Sequence, residues 1–316
     1  MYNNSLESEL PGDLYSLQLL SYLNLADNFL SGRLSSDLGR LTNLEKLILD
    51  NNDFTGHLMP LQLRKTKIKL LSISGNRFSG KLVPAMRFLH ELEYAYMDNN
   101  EFVGELPSDL GTLSRLQSLS LNHNGFTGIL PLELGALSEL KYLSLSENEL
   151  SGNIPEALRS LTSLETLNLA GNNLDGEIPS SAVGNWTKMK SLHLDDNHLV
   201  GTIPSTVSAM EDIGKCNGRW AGWCHSRVSD NYIIFHLEVL SVASNRLIGS
   251  VSSILGALGT QLVELSLSDN SLNGEIGDSL CGLVSLGECM QCFPIASVKE
   301  YPNTLSMCNK CRNVVS

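Results

Sequence analysis

The stretch Leu164–Pro179, with the sequence LETLNLAGNNLDGEIP, decides the fold of this chain. Leu167 and Leu169 flank a single polar residue, which is the alternation expected of a short strand with one buried face. Asn172 follows this strand, and its amide can both donate to and accept from backbone groups. We therefore expect Asn172 to lie in a buried turn, where it bonds backbone groups of its own segment and of a neighbouring copy of that segment.

Copies of this segment run along most of the chain. The asparagine recurs in steps of 24 residues up to Asn172 and then in steps of 25, 48 and 25 residues. The full set is Asn4, Asn28, Asn52, Asn76, Asn100, Asn124, Asn148, Asn172, Asn197, Asn245 and Asn270. A fixed period of this length with L-x-x-L-x-L-x-x-N-x-L is typical of leucine-rich repeats. Five copies continue into G-x-[IL]-P, for example at Gly104–Pro107 and Gly128–Pro131.

Together, the asparagine register and the G-x-[IL]-P segments resemble the plant-type extracellular leucine-rich-repeat proteins. That class includes the ectodomains of receptor-like kinases and receptor-like proteins, and the polygalacturonase inhibitors. The resemblance covers roughly residues 1–286 and implies an α/β solenoid. In such a solenoid a right-handed superhelix carries a parallel concave β-sheet, with short 3₁₀ or turn segments on the convex side. We expect about eleven repeats in residues 1–286 and a cysteine-rich cap in residues 287–316.

Leucines at −8, −5, −3 and +2 from each asparagine are predicted to form the core, because no repeat can bury its apolar face alone. Position +2 is phenylalanine in four consecutive repeats, at Phe54, Phe78, Phe102 and Phe126. Aromatic residues in register predict a packed spine in the core rather than a cofactor site.

Composition limits the partners. The net charge of −12 argues against nucleic acid and anionic membranes, since both select clustered Lys and Arg. No apolar run is long enough to span a membrane.

The chain opens inside a repeat without a recognisable signal peptide, so we expect it to be a piece of a longer secreted or membrane-anchored protein. Arg64, Lys65, Lys67 and Lys69 form the only basic cluster, which is either a solvated convex turn or a contact for an acidic partner.

Residues 211–236 interrupt the repeats and carry two of the three tryptophans. Cys216 and Cys224 surround a glycine-rich turn and are predicted to close a small disulfide loop. The loop resembles insertions that contribute to ligand sites in some plant-type receptors, so Trp220 and Trp223 are candidate accessory contacts. The alternative is that these tryptophans pack against the side of the solenoid.

The carboxyl-terminal cysteines have two interpretations. Cys289, Cys292, Cys308 and Cys311 have the spacing of a zinc ribbon. The resemblance to extracellular repeats favours disulfides instead, and we expect a disulfide cap without a metal. Asn185, in the sequence Asn-Trp-Thr, is a candidate glycosylation site.

No catalytic motif is found, and we expect a non-enzymatic protein without a cofactor. Binding is predicted on the concave face, where exposed tyrosines among serines and asparagines resemble the composition of recognition surfaces. The candidate residues are Tyr22, Leu70, Tyr94, Tyr96, His123, Tyr142 and His193. Acidic residues just before several of the asparagines either favour the turn or extend this surface.

The sequence therefore favours an extracellular or cell-surface ectodomain that recognises a peptide, protein or polysaccharide ligand. A secreted hydrolase inhibitor of the polygalacturonase-inhibitor type and a structural or adhesive repeat protein are the alternatives.

Overall fold

The computed structural model describes residues 2–58, 63–82, 84–209, 237–251, 258 and 262–274. Within these ranges each repeat forms one coil of a solenoid, in which a three-residue strand, a tight turn, a second strand and a short helix follow one another. Consecutive coils stack with all strands parallel, as expected when repeats of nearly equal length each form one full turn of the solenoid. The fold is thus the predicted α/β leucine-rich-repeat solenoid.

Ten short strands form the predicted concave sheet, one from each described coil. Numbered in chain order with the strands of the second sheet, they are β2 (Tyr22–Asn24), β4 (Lys46–Ile48), β6 (Leu70–Ser72), β8 (Tyr94–Tyr96), β10 (Ser118–Ser120), β12 (Tyr142–Ser144), β14 (Thr166–Asn168), β16 (Ser191–His193), β17 (Val239–Ser241) and β19 (Glu264–Ser266). Equivalent residues of neighbouring coils pair directly, for example Leu119 with Leu143. Each strand therefore places its central residue in the core and its outer two residues on the open face.

A second parallel sheet of eight strands follows the asparagines, and the repeat pattern had not predicted it. Its strands are β1 (Glu7–Ser8), β3 (Phe29–Arg33), β5 (Asp53–Gly56), β7 (Arg77–Gly80), β9 (Glu101–Glu105), β11 (Gly125–Ile129), β13 (Glu149–Asn153) and β15 (Asn173–Asp175). The sheet continues through two isolated bridges to the pair β18 (Ile248–Ser250) and β20 (Ser271–Asn273). The G-x-[IL]-P glycines lie here with positive φ, between 71° and 84° from Gly104 to Gly176.

Short helices complete the coils, as the Leu-Gly-x-Leu segments predict. They are the 3₁₀ helices η1 (Gly12–Ser16), η2 (Ser36–Arg40), η3 (Pro84–Phe88), η4 (Ser108–Thr112), η5 (Leu132–Ala136), η6 (Glu156–Ser160) and η7 (Ser205–Ala209), and one α-helix, α1 (Ser180–Val183). Helix α1 belongs to the first of the two repeats that are one residue longer, between Asn172 and Asn197. The longer segment also buries Trp186, whose Nε1 donates to the Leu158 carbonyl at 2.9 Å.

The core is a single column of leucines with the predicted aromatic spine inside it. Phe54, Phe78, Phe102 and Phe126 are at most 1% exposed, and their ring centroids stack 6.1–6.4 Å apart. The leucines at the other core positions of the central coils are almost entirely buried. Stability therefore comes from stacking between coils, because each coil supplies only one layer of this column.

The asparagine ladder has the predicted role. Asn172 Nδ2 donates to the carbonyls of Leu169 and Ala170 in its own turn and to Leu145 of the preceding coil, at 3.0–3.2 Å. Its Oδ1 accepts the Leu150 N–H of the preceding coil at 3.0 Å. Asn4 differs, since it is exposed and its Nδ2 donates to the Tyr2 carbonyl.

The 24-residue insertion in the sequence does not disturb the stacking. Strand β16 pairs directly with β17, with Leu192 opposite Leu240. Across the same junction, Asn245 Nδ2 donates to the Leu194 carbonyl and Asn245 Oδ1 accepts the Leu199 N–H, both at 2.9 Å. The coils before and after residues 210–236 are therefore neighbours in the solenoid.

Candidate ligand-binding surface

Strand β8 carries two tyrosines on the open face of the concave sheet. Because side chains alternate along a strand, Tyr94 and Tyr96 share one face while Ala95, fully buried, faces the core. Both tyrosines are half-buried. The Tyr94 hydroxyl lies 3.5 Å from Gln117 Oε1, at the outer limit of a hydrogen bond. The strand thus presents two aromatic rings whose polar ends are available to a ligand.

The neighbouring strands complete an aromatic cluster, which we define as Leu70, Tyr94, Tyr96 and Tyr142. Leu70 on β6 is the direct partner of Tyr94. On the other side, β10 offers only serines, and Tyr142 on β12 follows beyond it. The cluster therefore spans four adjacent strands. Between the paired tyrosines and Tyr142 lies a low region, where only small serine side chains cover the sheet.

Three serines form the floor of that low region. Ser118, Ser120 and Ser144 are at most 7% exposed, although they lie on the open face of the sheet. The Ser120 hydroxyl donates to Asp98 Oδ1 at 2.7 Å, and the Ser144 hydroxyl donates to Asn122 Oδ1 at 2.6 Å. These two donors are used within the protein, so the floor offers a ligand mainly van der Waals contact.

The other predicted surface residues lie farther away. Tyr22 is exposed on β2, three strand spacings or about 14 Å from β8. His193 is on β16, two spacings or about 10 Å beyond Tyr142. His123 is not on a strand: it occupies the turn before Asn124, where its φ is +50° and its side chain is exposed. The structure places all of them along one surface but brings only the aromatic cluster together.

The acidic residues before the asparagines divide into two groups. Those two residues before an asparagine bond the next coil: Asp50 Oδ1 accepts the Ser74 N–H at 2.7 Å, and the Ser72 hydroxyl donates to the same carboxylate. Asp195 likewise accepts from the Ser241 hydroxyl and the Ala243 N–H. Burial raises the pKa of the Asp50 carboxyl above its ordinary value, even though these hydrogen bonds oppose the shift. These hydrogen bonds favour a structural role for this group over the alternative that it extends the open surface.

Acidic residues immediately before an asparagine are exposed turn residues. Asp27, Glu147, Asp196 and Asp269 have φ between +50° and +55°. This left-handed conformation recurs in coil after coil, and in two coils a glycine takes it, at Gly75 and Gly171. The interpretation that these residues serve the turn accounts for their position.

The predicted basic cluster does not stay together. Lys69 lies just before β6 and pairs with Glu45 at 3.0 Å, and this ion pair raises the pKa of Lys69 and lowers that of Glu45. Lys67 Nζ donates to Asn43 Oδ1 at 3.3 Å. Only Arg64 and Lys65 remain as exposed neighbours on the turn. Two of the four cations are therefore engaged within the protein.

The described ranges contain no group of three His, Cys, Asp or Glu residues placed to hold a metal ion. In the same part of the chain, no helix is long and apolar enough to cross a membrane. Asn185 is exposed, and its Nδ2 donates to the Ser181 carbonyl at 2.6 Å. The predicted loop with Cys216, Trp220, Trp223 and Cys224 and the predicted cap with Cys289, Cys292, Cys308 and Cys311 lie outside the described residues.

Comparison with known families defines the class. A profile described as Leucine rich repeat matches residues 114–174, and a second, described as Leucine Rich Repeat, matches residues 19–41 and 261–283. No curated protein sequence is a significant match. Together with the asparagine ladder and the parallel coils, these matches make the chain a leucine-rich-repeat solenoid.

Several plant receptor ectodomains of known structure are similar to this chain. The leucine-rich-repeat ectodomain of the plant membrane receptor kinase GASSHO1/SCHENGEN3 from Arabidopsis thaliana, in complex with CASPARIAN STRIP INTEGRITY FACTOR 2, is 29% identical at a TM-score of 0.71. That alignment covers 92% of this chain and 34% of the receptor. The plant peptide hormone receptor RGFR1 in complex with RGF2 is 25% identical, with a TM-score of 0.72 and coverage of 90% and 49%.

The Arabidopsis receptor kinase HAESA, in complex with the peptide hormone IDA and the co-receptor SERK1, is 28% identical at a TM-score of 0.72. Coverage is 86% of this chain and 41% of HAESA. The chain thus spans between 34% and 49% of the length of these three receptors. The predicted resemblance to plant-type extracellular leucine-rich-repeat proteins is confirmed.

Proposed function

We propose that this chain is the recognition region of a plant receptor-like ectodomain, and that it binds an extended peptide on the concave sheet. Of the three similar receptors, HAESA is in complex with the peptide hormone IDA, and RGFR1 is a peptide hormone receptor in complex with RGF2. The observation that carries the proposal is the aromatic cluster of Leu70, Tyr94, Tyr96 and Tyr142. Its side chains come from three of four neighbouring strands, β6, β8 and β12, and no repeat position in the fold requires an aromatic residue there.

The cluster has the physical properties of a binding hot spot. Tyrosine supplies a large contact area with few rotatable bonds, so little conformational entropy is lost when a ligand covers it. The backbone beneath it is fixed by hydrogen bonds to both neighbouring strands, which keeps the rings in place before binding. Burial of such rings against a partner contributes most of the free energy in many interfaces.

The serine floor indicates what kind of side chain is bound. Since the hydroxyls of Ser120 and Ser144 already donate to Asp98 and Asn122, a polar ligand group above them would lose its hydration without gaining these donors. An apolar side chain loses nothing there and gains contact with Tyr96 and Tyr142. The proposed ligand therefore places an aliphatic or aromatic residue over Ser118–Ser120.

The proposal includes a location outside the cell, in line with the three receptors, one of which is described as a membrane receptor kinase. Exposed Asn185 would then carry an N-linked glycan, and disulfides would form among Cys216, Cys224, Cys289, Cys292, Cys308 and Cys311. Treatment of the secreted protein with an N-glycosidase should lower its apparent mass, and Asn185→Gln should abolish that change.

Selection from a random peptide library displayed on phage tests the binding site directly. The full chain is the bait, and selected peptides are measured on the wild type, on Tyr94→Ala/Tyr96→Ala and on the ring-preserving Tyr94→Phe/Tyr96→Phe. Loss of two hot-spot rings should weaken binding by at least about 30-fold, whereas the phenylalanine variant should stay within about threefold. Tyr2→Ala, which removes an exposed tyrosine far from β8, is the matched control.

Equal binding by the wild type and the alanine variant would refute the proposed site, provided that both proteins unfold at the same temperature. Enrichment of peptides without any apolar anchor residue would refute the role assigned to the serine floor.

A further inference from the structure

Ser118 differs from the other two serines on the floor of the aromatic cluster. It is only 7% exposed, although it lies on the open face of the concave sheet. The hydroxyls of Ser120 and Ser144 donate to Asp98 and Asn122. Within the described residues, the Ser118 hydroxyl has no hydrogen-bond partner. A polar group that is nine-tenths buried and unpartnered is uncommon in a folded protein and calls for an explanation.

The two tyrosines that flank Ser118 account for its burial. Ser118 is the direct partner of Tyr94 on one side and of Tyr142 on the other. The Tyr94 hydroxyl reaches to 3.5 Å from Gln117 Oε1, so the Tyr94 ring leans from β8 toward the strand that carries Ser118. Ser191, the same residue at the equivalent position of β16, has no tyrosine partner and is only half-buried. The aromatic rings, and not the repeat position, therefore bury the Ser118 hydroxyl.

A ligand on the open face can still reach the Ser118 hydroxyl. Among the described residues that are not exposed, only Ser181 Oγ is a side-chain oxygen or nitrogen that lacks both a hydrogen bond and contact with solvent. Ser118 Oγ also lacks a hydrogen bond, so it keeps some contact with solvent. The opposite face of β10 is closed by the buried Leu119, which means that this contact is on the open face.

The Ser118 hydroxyl needs an acceptor more than it needs a donor. A buried donor without an acceptor is rarer and costs more than an acceptor that keeps a spare lone pair. An ionised acceptor is unfavourable here, because a single hydroxyl would have to replace its hydration shell between two aromatic rings. A neutral carbonyl oxygen satisfies the donor without that penalty.

We propose that the Ser118 hydroxyl donates a hydrogen bond to a main-chain carbonyl of the peptide bound on the concave sheet. The inference rests on the proposed function, in which an apolar anchor residue of the ligand lies over Ser118–Ser120. Ser118 and Ser120 are about 6.6 Å apart on the same face of their strand. An anchor side chain that contacts Tyr96 and Tyr142 near Ser120 therefore brings its own main chain close to Ser118. The hydrogen bond then fixes the position of the anchor residue along the sheet.

This role separates ligand binding from stability at a single residue. Ser118→Ala removes a donor that the free protein does not use, so its melting temperature should equal or exceed that of the wild type. Ser144→Ala loses the hydrogen bond to Asn122 and should melt about 2 °C lower than the wild type. A serine that serves only the scaffold would behave like Ser144.

The test uses the full chain and the peptides selected on it from the random library. Fluorescence anisotropy of the labelled peptides gives their affinities for the wild type, for Ser118→Ala and for Ser191→Ala. Ser191→Ala is the matched control, since it makes the same change at the same repeat position outside the aromatic cluster. In addition, each peptide carbonyl from one residue before the anchor to one residue after it is replaced in turn by a thiocarbonyl, whose sulfur is a weaker acceptor.

We expect Ser118→Ala to weaken binding about fivefold, the effect of one neutral hydrogen bond, and Ser191→Ala to leave it unchanged. One thiocarbonyl peptide should lose about the same factor on the wild type and nothing further on Ser118→Ala. Equal affinities of the wild type and Ser118→Ala would overturn the proposal. Thiocarbonyl losses that are the same on both proteins at every position would also overturn it, as would a fall in melting temperature of Ser118→Ala as large as that of Ser144→Ala.

The same peptides distinguish failure of this inference from failure of the proposed function. Unchanged binding by Tyr94→Ala/Tyr96→Ala, or a library that yields no binding peptide, would overturn both. Peptides that need both tyrosines but bind Ser118→Ala as tightly as the wild type would leave the proposed function in place and overturn only the role of Ser118.

Discussion

The asparagine ladder makes a sharp prediction about stability at Asn172. Replacement of Asn172 by alanine removes all four side-chain hydrogen bonds of this residue, two of which join neighbouring coils. The next residue, Asn173, is exposed at the start of β15 and provides a matched control with the same chemical change. If the ladder holds the coils together, Asn172→Ala is strongly destabilising and Asn173→Ala is nearly neutral.

The magnitude follows from what each lost bond leaves behind. The Leu150 N–H loses its acceptor in a fully buried position, which costs about 1–3 kcal/mol. The Leu145 and Leu169 carbonyls each keep a second donor, from Asn148 and Asn197, so losing the three bonds donated by Asn172 costs only about 0.5 kcal/mol each. The sum is about 2.5–4.5 kcal/mol for Asn172→Ala, against less than about 0.5 kcal/mol for Asn173→Ala.

Equilibrium urea unfolding, followed by far-UV circular dichroism, measures both free energies. Amide hydrogen exchange at Leu150 then locates the damage, because this N–H should exchange faster in Asn172→Ala while distant coils keep their protection. Asn172→Asp provides an independent check. A carboxylate at this position would face three carbonyl oxygens with no proton to donate, so at neutral pH it should destabilise more than alanine does.

The reasoning would be refuted if Asn172→Ala and Asn173→Ala lost similar amounts of stability. It would also be refuted if Asn172→Asp were tolerated at neutral pH, since the argument depends on the donors of the amide.

Two further predictions concern the spine and a buried carboxyl. Phe102→Ala should lower the free energy of unfolding in urea by about 3–5 kcal/mol. Phe102→Leu should lower it by less than about 1.5 kcal/mol, because a leucine, Leu150, fills the equivalent site in another coil. Equal losses for the two variants would argue against the stacked spine. Since burial raises the folded pKa of Asp50, protonation stabilises the fold below the unfolded pKa of about 3.9, and this contribution is lost as pH rises through the folded pKa. Asn122 Oδ1 accepts the equivalent backbone bond in a later coil, so Asp50→Asn can keep this bond. The stability of Asp50→Asn relative to the wild type should therefore increase as pH rises from about 4, and a difference that does not change with pH would contradict this.

The repeat pattern was sufficient to predict the scaffold. Leucine and phenylalanine at fixed offsets from the asparagine have one stable arrangement, in which each coil covers the apolar face of the next. The burial of Phe78 and Leu145 and the ladder role of Asn172 follow from that arrangement, as does the direct stacking across the insertion. The repeat period alone determines these features, because every coil packs against coils that have the same sequence pattern.

The candidate binding surface could be predicted only in part. Alternation along the strands correctly placed Tyr94 and Tyr96 on the open face with Ala95 beneath them. It could not show that Asp50 and Asp195 accept hydrogen bonds from the next coil, since an acidic residue near a turn has the same sequence pattern whether it bonds the backbone or faces solvent. It also did not separate Lys69, which pairs with Glu45, from Arg64 and Lys65.

By itself, the sequence determined the solenoid, its period and its buried residues, because hydrophobic burial at regular offsets is a local property repeated in every coil. Only the tertiary structure decided which polar side chains serve the scaffold and which remain for a partner. The second sheet belongs to that part, and so do the contacts of the Arg33, His57 and Lys81 side chains with glycines of the next coil. These three residues are 24 positions apart in the chain, and only the stacking of coils over their glycines makes them neighbours.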